Sequence, residues 1–242
     1  MPTGVAIPHA ARRERVDRPP RRTLGCVGFL PTTHRPIVKV AFLHVGDDLR
    51  LPTIMAASAK RLGYGLVQMT DERSPAVPGV DAVTRLAWDG ERLMTYRLQH
   101  LAALAGPALI VDTDVMIVRD VRAVWEREFD VALTRRTGPA LDPTGVDLAE
   151  VMPYNTGVMF SRSQAFWQRC YDLCREFPPE AQRWYGDQYA VRFAAPEFNV
   201  LELPVDPYNY SPATPEEDVA GKLIVHYKGK RKDWMLAIGT RS

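Results

Sequence analysis

Cysteine is scarce in this chain: three in 242 residues, at positions 26, 170 and 174. So few, and an odd number, exclude a dense disulfide framework. Cys170 and Cys174 have no histidine or further cysteine nearby at metal-ligand spacing. They share one face of an expected helix, so buried, reduced thiols are expected, which suits a cytoplasmic protein. No apolar run is long enough for a signal-peptide core or a membrane span, and Cys26-Val27-Gly28-Phe29-Leu30 is too brief for either. Net charge is also small, +2 from 31 Lys and Arg against 29 Asp and Glu, so overall charge does not point to nucleic acid. Internal repeats are absent.

What is present is ordinary for a soluble globular protein: 46% hydrophobic and 25% charged residues, over a length that supports a sizeable core. The charge is uneven. Arg12, Arg13, Arg15, Arg18, Arg21, Arg22 and Arg35 crowd the start against Glu14 and Asp17, among Pro19, Pro20, Pro31 and Pro36. Residues 1–36 therefore read as a disordered basic tail, with no role or with a peripheral contact at the inner face of a membrane. One ordered domain is expected over residues 37–242.

Patterning from Ile37 onward alternates strands and helices. Strands are expected over residues 37–44, 64–70 and 80–86, with a helix over 51–62 stopped by Gly63. Asp89-Gly90 opens a helix over 91–104, and Pro107 precedes a buried strand, Ala108-Leu109-Ile110-Val111. Further on come a strand at 131–133, a loop over 136–150, a strand at 155–160 and a helix opened by Ser163. A helix from Gly186 and a strand over 223–226 follow, with a basic tail after them. This is the pattern of an α/β fold with a mainly parallel central sheet flanked by helices. Ligands of such sheets bind at the carboxyl ends of the strands, where Asp47, Asp112 and Asp114 fall.

The segment Val111-Asp112-Thr113-Asp114-Val115 is the most informative. Two carboxylates one residue apart, beside apolar residues, repel each other and resist desolvation. A divalent cation between them answers both costs, and oxygen ligands suit Mg²⁺ or Mn²⁺. Alone, Asp-x-Asp is common in turns. A second feature, Ile224-Val225-His226-Tyr227-Lys228-Gly229-Lys230-Arg231-Lys232-Asp233-Trp234, supplies a strand-end imidazole, a glycine open to close backbone approach, and lysines for a diphosphate.

Together these segments resemble a nucleotide-sugar glycosyltransferase of the glycosyltransferase-A fold, most like glycosyltransferase family 8, which holds glycogenin and bacterial galactosyltransferases. That family carries Asp-x-Asp and, well downstream, His-x-x-Gly-x-x-Lys-Pro-Trp; Asp233 stands here in place of the proline. The resemblance implies a single domain, a Mn²⁺ or Mg²⁺ ion held by Asp112, Asp114 and His226, and a diphosphate touched by Gly229 and Lys232. It is similar in three more blocks. Asn155-Thr156-Gly157 implies contact of Asn155 with the donor sugar or acceptor region. Gly186-Asp187-Gln188 implies Asp187 on sugar hydroxyls and Gln188 beside the anomeric carbon. Tyr96-Arg97-Leu98 implies Arg97 on the donor phosphate or sugar. Thr113 and Gly157 belong to the same donor-binding blocks. Asp47, after the first strand, is assigned to uracil, with Asp48 the alternative; the family's Asn-Tyr after this acid is Leu49-Arg50 here.

The resulting expectation is a metal-dependent hexosyltransferase that moves a sugar from a UDP-hexose to a saccharide or glycoconjugate acceptor, with retention of anomeric configuration. An inverting route would need a general base, for which Asp187 is the candidate. The main rival is an aspartate-nucleophile phosphatase of the haloacid dehalogenase type, but Val191 stands where its second acid belongs. A nucleotidyltransferase would need a Gly-rich loop after the first strand, which His44-Val45-Gly46-Asp47-Asp48 lacks. An inactive nucleotide-sugar-binding module is the remaining alternative.

Overall fold

A computed structural model describes residues 38–137 and 145–239. The expected basic tail over 1–36, with Cys26, and part of the expected loop, 138–144, lie outside the described residues. In chain order the elements are β1 (Lys39–Leu43), α1 (Arg50–Arg61), β2 (Gly65–Thr70), β3 (Ala82–Arg85), α2 (Leu93–Ala103), β4 (Ala108–Val111), β5 (Val115–Ile117) and β6 (Val131–Arg135). Then come α3 (Leu148–Val151), β7 (Tyr154–Ser161), α4 (Gln164–Arg175), α5 (Pro179–Trp184), α6 (Gly186–Ala194) and β8 (Val200–Leu203). The short turn α7 (Val205–Tyr208), β9 (Ile224–His226) and α8 (Lys232–Gly239) complete the chain.

Seven strands form one sheet in the order β3-β2-β1-β4-β7-β6-β8. All pairings are parallel except those of β7, which runs against both β4 and β6. The sheet is thus mainly parallel, as expected. Period-two alternation sends Val40 and Phe42 of β1 to a core with Met55 and Ala59 of α1. Ala41 and Ile110 face the other way, onto Leu98 and Leu101 of α2 and Phe166 and Cys170 of α4. Both faces are therefore covered by helices, and all four residues of β4 are buried.

Local signals act as the chain chemistry dictates. Gly63 follows α1 with φ +73°, a left-handed position that suits glycine. Asp89 accepts from the N–H groups of Glu91 and Arg92 at 2.9 and 3.1 Å and turns the chain into α2. Ser163 caps α4 by accepting from Phe166 N–H at 3.2 Å. Cys170 and Cys174 are free and buried on one face of that helix.

Several segments differ from the sequence reading, among them β5 and β8, which the patterning does not show as strands. Part of the expected loop is α3, capped by the Asp147 carboxylate at Ala149 N–H, 2.8 Å. Helix α5 precedes α6. The expected basic tail after β9 folds instead as a 3₁₀ turn, Gly229–Arg231, and α8. The apolar residues of α8 override its basic start: Met235 is fully buried, and Gly239 lies so close to Ile54 of α1 that a Cβ would come within 2.3 Å of it. No helix among the described residues is long and apolar enough to cross a membrane.

Candidate active site

Three parts of the backbone meet at one edge of the sheet. Strand β4 delivers Asp112 and Asp114 just past its carboxyl end. Because β7 runs antiparallel to β4, the beginning of β7 reaches the same edge, and Asp112 N–H donates to Gly157 O at 3.0 Å. Beyond the aspartates, β5 pairs with β9 as a separate two-stranded ribbon whose register sets Val115 opposite His226. Tyr227 N–H then donates to Asp114 O at 2.8 Å, which ties the loop carrying the lysines to the aspartates.

The side chains converge accordingly. His226 Nε2 lies 3.1 Å from Asp114 Oδ1 and 3.7 Å from Asp112 Oδ2. One ligand atom from each of the three residues lies within 4.8 Å of the others. Lys232 Nζ, at the start of α8, stands 3.4 Å from Asp114 Oδ2. Gly157 is the floor of this cluster: a Cβ there would come 2.1 Å from His226 Cε1 and 2.9 Å from Asp112 Oδ2. Burial pushes the Asp112 carboxyl up, against the pull of Arg97 and His226. Burial opposes ionisation of Asp114 too, but the His226 hydrogen bond and the charges of His226 and Lys232 hold it below its ordinary value. Two oxygen donors and an imidazole in one cradle fit a Mn²⁺-type cation, which would relieve the mutual repulsion of the carboxylates.

The orientation of the imidazole is built in. Gly157 N–H donates to Asn155 Oδ1 at 3.1 Å, which makes that oxygen an acceptor. Asn209 Nδ2 donates to the same oxygen at 2.9 Å and to Thr134 Oγ1 at 2.7 Å. The Asn209 oxygen is thereby left to face His226 Nδ1, 2.9 Å away, and accepts its N–H. Nε2 is the nitrogen turned toward the two aspartates. Asn209 is 1% exposed and Thr134 fully buried, so the chain is shielded from water.

Arg97 of α2 is buried beneath the cluster. Its guanidinium pairs with Asp112 Oδ1 at 2.8 Å and Asp187 Oδ2 at 2.7 Å, and donates to Thr156 O at 2.7 Å. Asp187 is 2% exposed. Its Oδ2 also accepts from Thr156 Oγ1 at 2.8 Å, and its Oδ1 from Gln188 N–H at 2.8 Å. Both its oxygens are therefore engaged within the protein. Burial opposes the charge on Arg97, but Asp112 and Asp187 more than compensate and raise its pKa.

A cleft of about 340 Å³ opens over these groups, lined among others by Arg97, Asp112, Thr113, Asp114, Gln188 and Lys232. The Gln188 amide oxygen accepts from Arg136, whose Nε donates to Met152 O at 2.9 Å. Lys228, near Arg136, is pushed down to about 8 by burial first and by that neighbouring cation second. Gly229 takes φ +61°. Asp47 is exposed and does not line the cleft, while Asp48 is paired with Arg50 at 2.6 Å. Sequence reasoning missed Asn209, Thr134 and Arg136. None sits in a recognisable motif, and only the sheet brings them to the site.

No protein-family profile and no curated protein sequence matches the chain. Solved structures do. A glycosyltransferase involved in the glycosylation of the major capsid of PBCV-1 is 15% identical with a TM-score of 0.57, over 86% of this chain and 100% of that one. The galactosyltransferase LgtC, solved with donor and acceptor sugar analogs, is 12% identical with a TM-score of 0.57, over 84% of this chain and 94% of that one. The glycosyltransferase GlyE of Streptococcus pneumoniae is 18% identical with a TM-score of 0.54, over 84% of this chain and 60% of that one. The chain therefore has the glycosyltransferase-A fold.

Proposed function

We propose that this chain is a hexosyltransferase that depends on a divalent cation and uses a UDP-hexose donor, a saccharide or glycoconjugate acceptor, and retention of anomeric configuration. The observation that carries the reading is the convergence of Asp112, Asp114, His226 and Lys232 at the carboxyl edge of this sheet. Asp112, Asp114 and His226 would hold Mn²⁺ or Mg²⁺, which when bound neutralises charge on the donor diphosphate. Lys232 and the Gly229 backbone meet the diphosphate, and Lys232 favours the charge that grows as the bond from the anomeric carbon breaks.

Arg97 acts one layer below. Its ion pairs with Asp112 and Asp187 fix the Asp112 carboxylate and the start of α6, which carries Gln188. Arg136 in turn orients the Gln188 amide. An uncharged amide oxygen suits an anomeric carbon that develops positive charge without offering a strong nucleophile. Thr113, Asn155 and Gly157 frame the donor sugar. Asp47 is left for the uracil, since Asp48 is occupied by Arg50.

Calorimetric titration of UDP tests this reading, with Mn²⁺, with chelator, and on Asp114→Ala. Binding that requires Mn²⁺ and disappears in the variant supports the donor site. UDP binding that is indifferent to metal, or absent throughout, overturns it. Release of UDP from UDP-hexoses in the presence of Mn²⁺ then separates an enzyme from an inactive binding module.

A further inference from the structure

Helix α5 ends on an exposed indole. Trp184 is 61% exposed, whereas Trp125 and Trp167 are 6% and 2% exposed. A large apolar ring kept in water forgoes burial free energy, which a ligand stacked on it would recover. Trp184 stands beside two. It lines the catalytic cleft, and it also lines a neighbouring groove of about 790 Å³ with Glu91 and Arg92 before α2 and Glu180 and Arg183 on α5.

The backbone between the ring and the chemistry is tightly packed. Gly186, between α5 and the Asp187-Gln188 pair, is packed so tightly that a Cβ would come 2.7 Å from Ala181 O and 2.8 Å from Cys174 Sγ. The turn from Trp184 to Gln188 therefore has no slack. The Arg183 guanidinium lies 4.8 Å from the indole centroid and restrains the ring further.

We infer that this groove is the acceptor subsite and that it takes a neutral pyranose stacked on Trp184. A pyranose has one apolar C–H face and a rim of hydroxyls. The indole answers the face, and the groove's carboxylates and guanidiniums answer the rim as acceptors and donors. Two acids balance two bases there, so the groove carries no net sign that would select a phosphate or carboxylate group. This inference rests on the donor reading above, because the acceptor hydroxyl must reach the sugar carbon held beside Gln188.

The test uses the full chain saturated with UDP and Mn²⁺. Lactose, methyl β-galactoside and methyl β-glucoside are titrated by saturation-transfer NMR and calorimetry, on wild type, Trp184→Ala and Trp184→Phe. At least one sugar binds the wild type. Its affinity falls about tenfold in Trp184→Ala and is largely kept in Trp184→Phe, since a phenyl ring preserves stacking. Equal binding to Trp184→Ala, or binding of none of the three sugars, overturns the inference. So does a dimeric mass in solution that the alanine variant abolishes, which would make Trp184 a subunit contact. UDP affinity measured in parallel keeps the two readings apart: its absence in the wild type sinks the donor site, while a sugar-only loss in Trp184→Ala concerns the groove.

Discussion

The imidazole of His226 donates from Nδ1 to the amide oxygen of Asn209, 2.9 Å away, and the direction of that bond is set by a backbone N–H at Gly157. Histidine ligands of metals are commonly oriented in this way, through the ring nitrogen that the metal does not use. Asn209→Leu removes the acceptor and lets the ring turn. We expect Mn²⁺ affinity to fall about ten- to a hundredfold, the range found when such outer partners are lost. Electron paramagnetic resonance of free Mn²⁺ in titrations without nucleotide measures this directly. Unchanged affinity would show that Asn209 serves the fold alone.

Gly157 makes a sharper demand. A methyl group there would overlap His226 Cε1 at 2.1 Å, and both colliding partners, His226 and Asp112, belong to the candidate metal cradle. Gly157→Ala should therefore abolish metal-dependent UDP binding while the far-UV circular dichroism stays that of the wild type. Retained Mn²⁺-dependent binding in calorimetry would contradict the close packing described for this strand.

Arg97 is a buried cation between two carboxylates. Removing one partner of such an arrangement strands charge in the interior and costs about 3–5 kcal/mol. Arg97→Met should lower the urea midpoint accordingly with little change in slope. The double variant Arg97→Met, Asp187→Leu removes the buried stranded carboxylate, Asp112 facing the cleft with 37% of its side chain exposed, and should recover most of the loss. A stability loss below about 1 kcal/mol would place Arg97 among solvent-screened pairs instead.

Strand β4, the turn into α2 and the cap of α4 were legible because each depends on a few adjacent residues: four apolar ones, Asp89, Ser163. His226 at a strand end beside the aspartates was legible too, but the ribbon that places it there was not. It depends on β5 and β9, three residues each, pairing in one register across a long stretch of chain. The apolar end of β9 was read as a strand, but β5, with three residues, carries too little periodicity to show that the two pair. Helix α8 was hidden by the run Lys228, Lys230, Arg231 and Lys232, although Trp234, Met235 and Ile238 supply its packing face. Asn209 lies in a Pro- and Asp-rich stretch with no motif of its own. Asp187 lines the cleft, as a sugar contact requires, but its ion pair with Arg97 and its bond from Thr156 depend on the sheet and had no signal in the sequence.

His100 offers a test of the core that does not involve the site. The ring is 3% exposed, its Nε2 has no partner, and burial pushes its pKa down to about 4. In the unfolded chain the same ring titrates near 6.5. As pH falls below 6.5 the unfolded state gains a proton that the folded state refuses until about 4, so stability falls across that window. Between pH 7 and pH 5 wild type should lose about 2 kcal/mol more than His100→Leu, from urea unfolding at each pH. Parallel pH profiles would mean that the ring accepts its proton while buried.

The role proposed for Gln188 separates binding from chemistry. The residue lines the cleft, and its amide oxygen is held by Arg136, itself anchored on Met152 O. None of the groups that would grip a diphosphate depends on it: Lys232 is anchored at Asp114, and His226 on Asn209. Truncation to alanine should therefore leave Mn²⁺-dependent UDP affinity within about threefold of wild type, while turnover of the UDP-hexose falls by about a hundredfold or more, the scale of losing one group that acts on the transition state. Arg136→Met should act in the same direction but less, because the amide stays in place and only its orientation is freed. If Gln188→Ala instead weakens UDP binding and spares turnover, the residue belongs to donor capture, and the carbon that reacts must lie elsewhere in the cleft.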